Sequence, residues 1–78
     1  MTAVLLLDNM EKVKEFVSIA LTKPYDVDLV SGKYVINGKS IMGIFSLDLA
    51  KPVMVNADTG NDNEFATQVE KFIFENKK

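Results

Sequence analysis

The chain contains no histidine, no cysteine and no arginine, and each absence removes a class of chemistry. Without histidine there is no imidazole chemistry, and the usual nitrogen ligand for transition metals is missing. Without cysteine there is no thiolate and no disulfide framework. Without arginine there is no bidentate guanidinium fork, and nine lysines against eleven carboxylates leave a net charge of -2. Phosphate backbones are bound by clustered cations, so this balance speaks against a nucleic-acid partner. Lys77 and Lys78 make a two-residue basic tail. Long apolar runs are scarce as well. The stretch Ala3-Val4-Leu5-Leu6-Leu7 has no basic residue before it and breaks at Asp8, which is too short for a signal peptide or a membrane span. It reads as a buried strand, and the expectation is a cytoplasmic protein without membrane contact, metal or cofactor.

What is present is the balance of a folded domain: 47% hydrophobic and 26% charged residues over 78 positions. A chain of this length buries about 60% of the surface its unfolded form exposes, so there is room for one core. A single domain over residues 1–78 is expected, with no repeat, low-complexity segment or internal linker.

Val13, Phe16, Val17, Ala20 and Leu21 recur at helical spacing, with Glu11, Lys12, Lys14, Glu15 and Ser18 on the opposite face. Asp8 or Asn9 caps this helix, Glu11 stands three residues after Asp8 as in a capping box, and Lys23-Pro24 stops it. Tyr25, Val27 and Leu29 alternate with Asp26 and Asp28 as in a strand with one wet face, Ser31-Gly32 turns, and Tyr34-Val35-Ile36 returns as a hairpin. Asn37-Gly38 is again a hairpin dipeptide, while 40–45 fits a strand or a short helix equally well. Pro52 opens a further strand through Val53, Val55 and Ala57. Asp58 to Asn61 turns the chain into a last helix, capped by Asn61 or Asp62, with Phe65, Val69, Phe72 and Ile73 on one face and Phe74 partly off it. The order βαββ(α)βα places helices on one side of one sheet, an α+β open sandwich.

Several constellations have a plain reading beside a chemical one. Asp58, Gly60, Asp62 and Glu64 alternate like calcium ligands, yet the positions that need glycine and glutamate hold Asn63 and Val69, so a helix-capping acidic turn is preferred. Asp8 and Glu11 sit in a first helical turn, where the dipole favours carboxylates without any acid/base task. Ser31-Gly32-Lys33 lacks the spaced glycines of a phosphate loop and is a turn. The phenylalanine and methionine stripes of the helices are core. Ser40, if 41–45 is helical, is a cap with an apolar face behind it. As a phosphorylation site it would set negative charge over free backbone N–H groups beside Lys39.

The segment Ile36-Asn37-Gly38-Lys39-Ser40-Ile41-Met42-Gly43-Ile44-Phe45-Ser46-Leu47 resembles the regulatory-serine segment of HPr, the histidine-containing phosphocarrier of the sugar phosphotransferase system. Phe16-Val17 stands at the family's spacing before Ser40, Gly60-Asn61-Asp62 precedes the last helix as the family's Gly-x-Asp does, and the match runs from about Met10 to Phe74. The resemblance implies a four-stranded antiparallel sheet with three helices on one face, and a short helix after Ser40. It implies that Ile41, Met42 and Phe45, with Lys39, form a partner-binding patch. The carrier centre departs from the pattern. Asn9 stands at the phosphorylated histidine's place, Glu11 and Lys12 replace an arginine and a proline, Asp48 replaces a glycine beside the centre, and Pro52 replaces another. An amide is not a nucleophile, and an anion replaces a cation that would steady a phosphoryl group. Keeping the serine while losing the histidine is similar to HPr-like regulators of the Crh kind. The expectation is a non-enzymatic regulatory protein-interaction module, controlled through Ser40 and acting in carbon catabolite repression. Its partners would be a serine kinase and a transcriptional regulator or another phosphotransferase-system component. The alternative is a scaffold or oligomer subunit that kept the fold and lost the pathway, in which Ser40 only caps.

Overall fold

The computed structural model describes residues 1–75; the Lys77-Lys78 tail lies outside the described residues. The chain runs β1 (Thr2–Leu5), α1 (Met10–Leu21), β2 (Val27–Ser31), β3 (Tyr34–Asn37), α2 (Ile41–Phe45), β4 (Val53–Ala57) and α3 (Glu64–Val69), followed by a single 3-10 turn, Glu70–Phe72. The strands form one four-stranded sheet in the order β1-β4-β2-β3, every neighbouring pair antiparallel. The fold class implied by the resemblance is the one observed, an open antiparallel sheet with three helices.

Period-two alternation decides which face the helices cover. Ala3, Val55, Leu29 and Ile36 lie in one cross-strand row, with Leu5 beside Val53 and Val27 beside Ala57. These side chains meet Val13, Phe16, Val17 and Ala20 of α1, Ile44 of α2, and Phe65, Val69 and Phe72 in one core. Phe16 is its centre, with ring centroids 6.4 Å from Phe65 and 6.2 Å from Phe72. Truncating a fully buried phenylalanine in such a cluster costs about 3–5 kcal/mol, so Phe16→Ala threatens the whole fold.

The open face changes the expectation for the first strand. Val4 is 45% exposed, because a single sheet with helices on one side leaves every second residue of β1 uncovered. Only Leu5, at the end of the strand, and Leu7 beyond it are fully buried.

The hairpin turns on Gly32, whose φ of +58° is the left-handed backbone that glycine adopts without steric cost. Tyr25 lies outside β2. At the start of α1 the cap is Asn9, whose Oδ1 accepts from the Lys12 N–H at 2.9 Å, while Asp8 takes the Lys12 ammonium at 2.8 Å. The Asp8–Glu11 capping box therefore does not form: Asn9, one residue later, holds the extended backbone that a cap needs. Met10 is 57% exposed, off the core stripe that claims the phenylalanines.

The last helix is shorter than its apolar spacing predicts. It ends at Val69, tightens through the 3-10 turn, and then runs extended beside β1. Leu6 N–H donates to the Phe72 carbonyl at 2.8 Å, Phe74 N–H donates to the Val4 carbonyl at 2.9 Å, and Ile73 bridges Leu5. Ile73 is accordingly out of the core, and the otherwise bare edge of β1 gains backbone partners.

Candidate functional site

Between β3 and α2 the chain reverses within three residues. Gly38 makes this possible: its N–H donates to the Val27 carbonyl at 2.6 Å, and a Cβ there would stand 2.9 Å from both Val27 Cγ1 and Val27 O. Asn37 Oδ1 accepts from the Lys39 N–H at 2.9 Å and its carbonyl accepts from the Ser40 N–H at 3.0 Å. The Asn-Gly pair thus turns the chain into a helix rather than into another hairpin strand.

Ser40 has extended backbone (φ -102°, ψ 101°), and its Oγ accepts from the Gly43 N–H at 3.2 Å. It is the N-cap of α2, as the helical reading of 41–45 requires. Behind it, Ile44 is fully buried, Ile41 is half-buried against the core, and Met42 and Phe45 are 76% and 37% exposed. The expected apolar patch is therefore carried by Met42 and Phe45, with Ile41 at its root. Lys39 turns away from Ser40, its ammonium donating to the Lys23 carbonyl at the end of α1 at 2.8 Å.

That tie belongs to a cluster that local sequence patterns do not mark. Lys23 is almost fully buried; its ammonium lies 3.2 Å from Asp62 Oδ2 and 5.9 Å from the Phe65 ring centroid. Tyr25 donates its hydroxyl to Asp62 at 2.7 Å, and Asp62 Oδ1 accepts from the Glu64 N–H at 2.8 Å. The N-cap position of α3 is Asn63 rather than Asn61 or Asp62, and its side chain makes no capping bond; Asp62, one residue earlier, takes the first helical N–H instead. The Tyr25 and Glu64 hydrogen bonds, with the Lys23 charge, hold the Asp62 carboxyl down at about 2. Desolvation, then the same bond and the Asp62 charge, push the Tyr25 hydroxyl up to about 12. Tyr25 and Asp62 stand 37 residues apart, so only the fold shows the contact.

Asn9, Glu11 and Lys12 lie at the start of α1 and Asp48 between α2 and β4; these are the positions that the resemblance sets against a carrier centre. Asn9 has its side-chain oxygen engaged in capping α1, Glu11 is exposed, and the Lys12 ammonium is on Asp8, whose carboxyl it holds below the usual range. Asp48 accepts from the Ala50 N–H at 3.2 Å. It lines a shallow cavity of about 360 Å³ with Ser31, Lys33, Tyr34, Ser46 and Lys51, to which Asn9, Glu11 and Lys12 do not contribute. Of the acidic turn at 58–64, Asp62 is engaged by the Glu64 N–H, Tyr25 and Lys23; among the described residues no group of three or more acidic side chains is placed to hold a metal ion, and no helix is long and apolar enough to cross a membrane.

No protein-family model matches this chain, and no curated protein matches its sequence. Among solved structures it is similar to HPr-C-His from Thermoanaerobacter tengcongensis, with a TM-score of 0.75, 21% sequence identity, and coverage of 94% of this chain and 90% of that one. At that identity the likeness concerns the backbone. The element order, the antiparallel sheet and the helix that follows Ser40 are those of the HPr fold.

Proposed function

We propose that this chain is an HPr-like regulatory protein of the phosphotransferase-system kind that carries no phosphohistidine, docks on protein partners through α2, and is switched by phosphorylation of Ser40. The observation that supports it most is the joint geometry of α2: a half-buried serine caps a helix whose next turn exposes Met42 and Phe45. A phosphoryl group transferred from ATP to Ser40 Oγ, with the hydroxyl proton leaving to a base of the kinase and ADP released, adds about -1.5 to -2 charges over the free N–H groups of α2. It does so immediately beside the apolar patch, so a partner reading Met42 and Phe45 meets a different surface before and after transfer. In this reading the protein is not an enzyme and needs no cofactor. Its partners are a serine kinase and a transcriptional regulator or another component of the same system.

The loss of the carrier role rests on residue chemistry. The chain has no histidine, and Asn9 offers an amide already bonded at its oxygen. Glu11 adds negative charge where a phosphoryl group would need the opposite.

Incubation with ATP and an HPr-type serine kinase, beside a true carrier as positive control, followed by mass-spectrometric mapping, tests this directly. Phosphate on Ser40 is expected; an unmodified Ser40 with the control modified overturns the regulatory reading. The Ser40 Oγ–Gly43 hydrogen bond also favours a second reading, a scaffold in which the serine only caps. There Ser40→Ala loses stability and leaves partner binding unchanged.

A further inference from the structure

The two edges of the sheet are treated differently. β1 is paired along part of its outer side by 72–74, whereas β3 has no strand beyond it among the described residues. Native edges are blunted by charge, proline or a bulge, and Tyr34-Val35-Ile36-Asn37 has none of these within it.

The phase of the hairpin shows which backbone groups this edge offers. The Gly38 N–H to Val27 carbonyl bond makes Asn37 and Asp28 a non-hydrogen-bonded pair. Alternation then makes Ile36 with Leu29, and Tyr34 with Ser31, the bonded pairs. The N–H and C=O of Val35 therefore point outward from the sheet. Val35 is 63% exposed and ends a cross-strand row on the open face, Val4–Met54–Val30–Val35, which Phe74 extends beside Val4. The next row, Thr2–Asn56–Asp28–Asn37, is polar.

We infer that β3 pairs with β3 of a second copy of this chain, antiparallel about a two-fold axis at Val35. This register is the self-complementary one for an outward-facing residue: each Val35 donates its N–H to the other Val35 carbonyl, and the apolar row continues unbroken across both sheets. It also brings opposite charges to the same stretch of edge: Lys33, the turn residue just before β3, comes to the side of Asn37 of the second copy, whose neighbour across its own hairpin is Asp28. Neither Lys33 nor Asp28 has an ion-pair partner within its own copy among the described residues, and no like charges face each other in this register. Four residues make a short edge, so the contact belongs to the class of interfaces below about 1,200 Å² in total, which associate weakly and depend on concentration. The dimer does not rest on Ser40 or on the α2 patch.

Sedimentation equilibrium and amide NMR between about 10 µM and 1 mM provide the test, in a range where weak contacts of this class assemble. The expected result is a rising dimer fraction with concentration-dependent shifts centred on the Val35 and Asn37 amides. Val35→Pro removes the outward N–H without removing a β2–β3 hydrogen bond, an edge position where proline is tolerated. It should abolish the dimer while circular dichroism stays native; should it perturb the fold, Val35→Lys serves in its place. Lys33→Glu should weaken association at least tenfold, and adding Asp28→Lys should restore it. A protein that stays monomeric at 1 mM, a dimer unaffected by Val35→Pro or Val35→Lys in a native fold, or shifts centred on α2 or on β1 instead of β3, overturns the proposal.

Discussion

Gly43 of α2 lies so close to Ile36 of β3 that a Cβ on the glycine would stand 2.8 Å from Ile36 Cγ2, nearer than side chains pack. This contact seats the short helix on the sheet and fixes where Ser40 opens and where Met42 and Phe45 emerge. A five-residue helix has no stability of its own in water, so α2 exists because Ile44, Ile41 and this close approach hold it down.

Gly43→Ala sets two effects against each other. Alanine favours a helix interior by about 1 kcal/mol over glycine. Overpacking against Ile36 costs about 1–3 kcal/mol, and in a contact this short the clash wins. Urea denaturation should show net destabilisation, and exchange of α2 amides should quicken more than that of α1.

Ser40→Ala removes the acceptor for the Gly43 N–H and should cost about 0.5–2 kcal/mol in thermal or urea unfolding. Ser40→Asp keeps an N-cap oxygen and should stay within a few tenths of a kcal/mol of the parent. Both variants block modification by a serine kinase, which separates the capping role from the regulatory one.

Met42 has almost no packing to lose, being 76% exposed. Met42→Ser should leave stability within about 0.5 kcal/mol, as surface substitutions do. If α2 is the docking face, the same change should weaken partner binding at least tenfold by calorimetry, about 1.4 kcal/mol.

The Tyr25–Asp62 pair predicts two limits of pH stability. Asp62 titrates at about 2 in the folded chain against an ordinary 3.8, so its contribution is present above the ordinary value and fades as pH falls from 3.8 through 2. Tyr25 is raised from 10.0 to about 12, so its contribution is complete below 10 and fades as pH climbs through 12. In Asp62→Asn, acid unfolding should lose its dependence on this group. The Tyr25 phenolate, followed by absorbance in a Tyr34→Phe background, should form at lower pH than in the parent.

Much of the fold was legible in one dimension because it follows from periodicity. The helical spacing of Val13, Phe16, Val17 and Ala20 and the alternation of Val53, Val55 and Ala57 each name a buried face without reference to any other segment. Where the expectation missed, long-range partners intervened. Ile73 keeps helical spacing with Val69, yet backbone bonds to β1 draw 72–74 out of the helix. Val4 belongs to an apolar run, yet the open face of the sheet leaves it bare.

The candidate site divides along the same line. Ser40 was readable as a cap, since a serine ahead of an apolar turn solves a local hydrogen-bonding problem. Whether 40–45 forms a strand or a helix was undecidable locally, and the resemblance to HPr pointed to the helix that the structure contains.

Composition alone determined what chemistry this chain cannot do: no imidazole, no thiol and no guanidinium can be assembled from residues that are absent, whatever the fold. Only the tertiary structure decided that Lys39 reaches the Lys23 carbonyl, that Asp62 receives Tyr25, and that, among the described residues, β1 is covered along part of its edge while β3 is not. The reason is physical: periodicity reports which face of a segment is apolar, but a hydrogen bond across 16 or 37 residues exists only once the sheet order brings its two ends together.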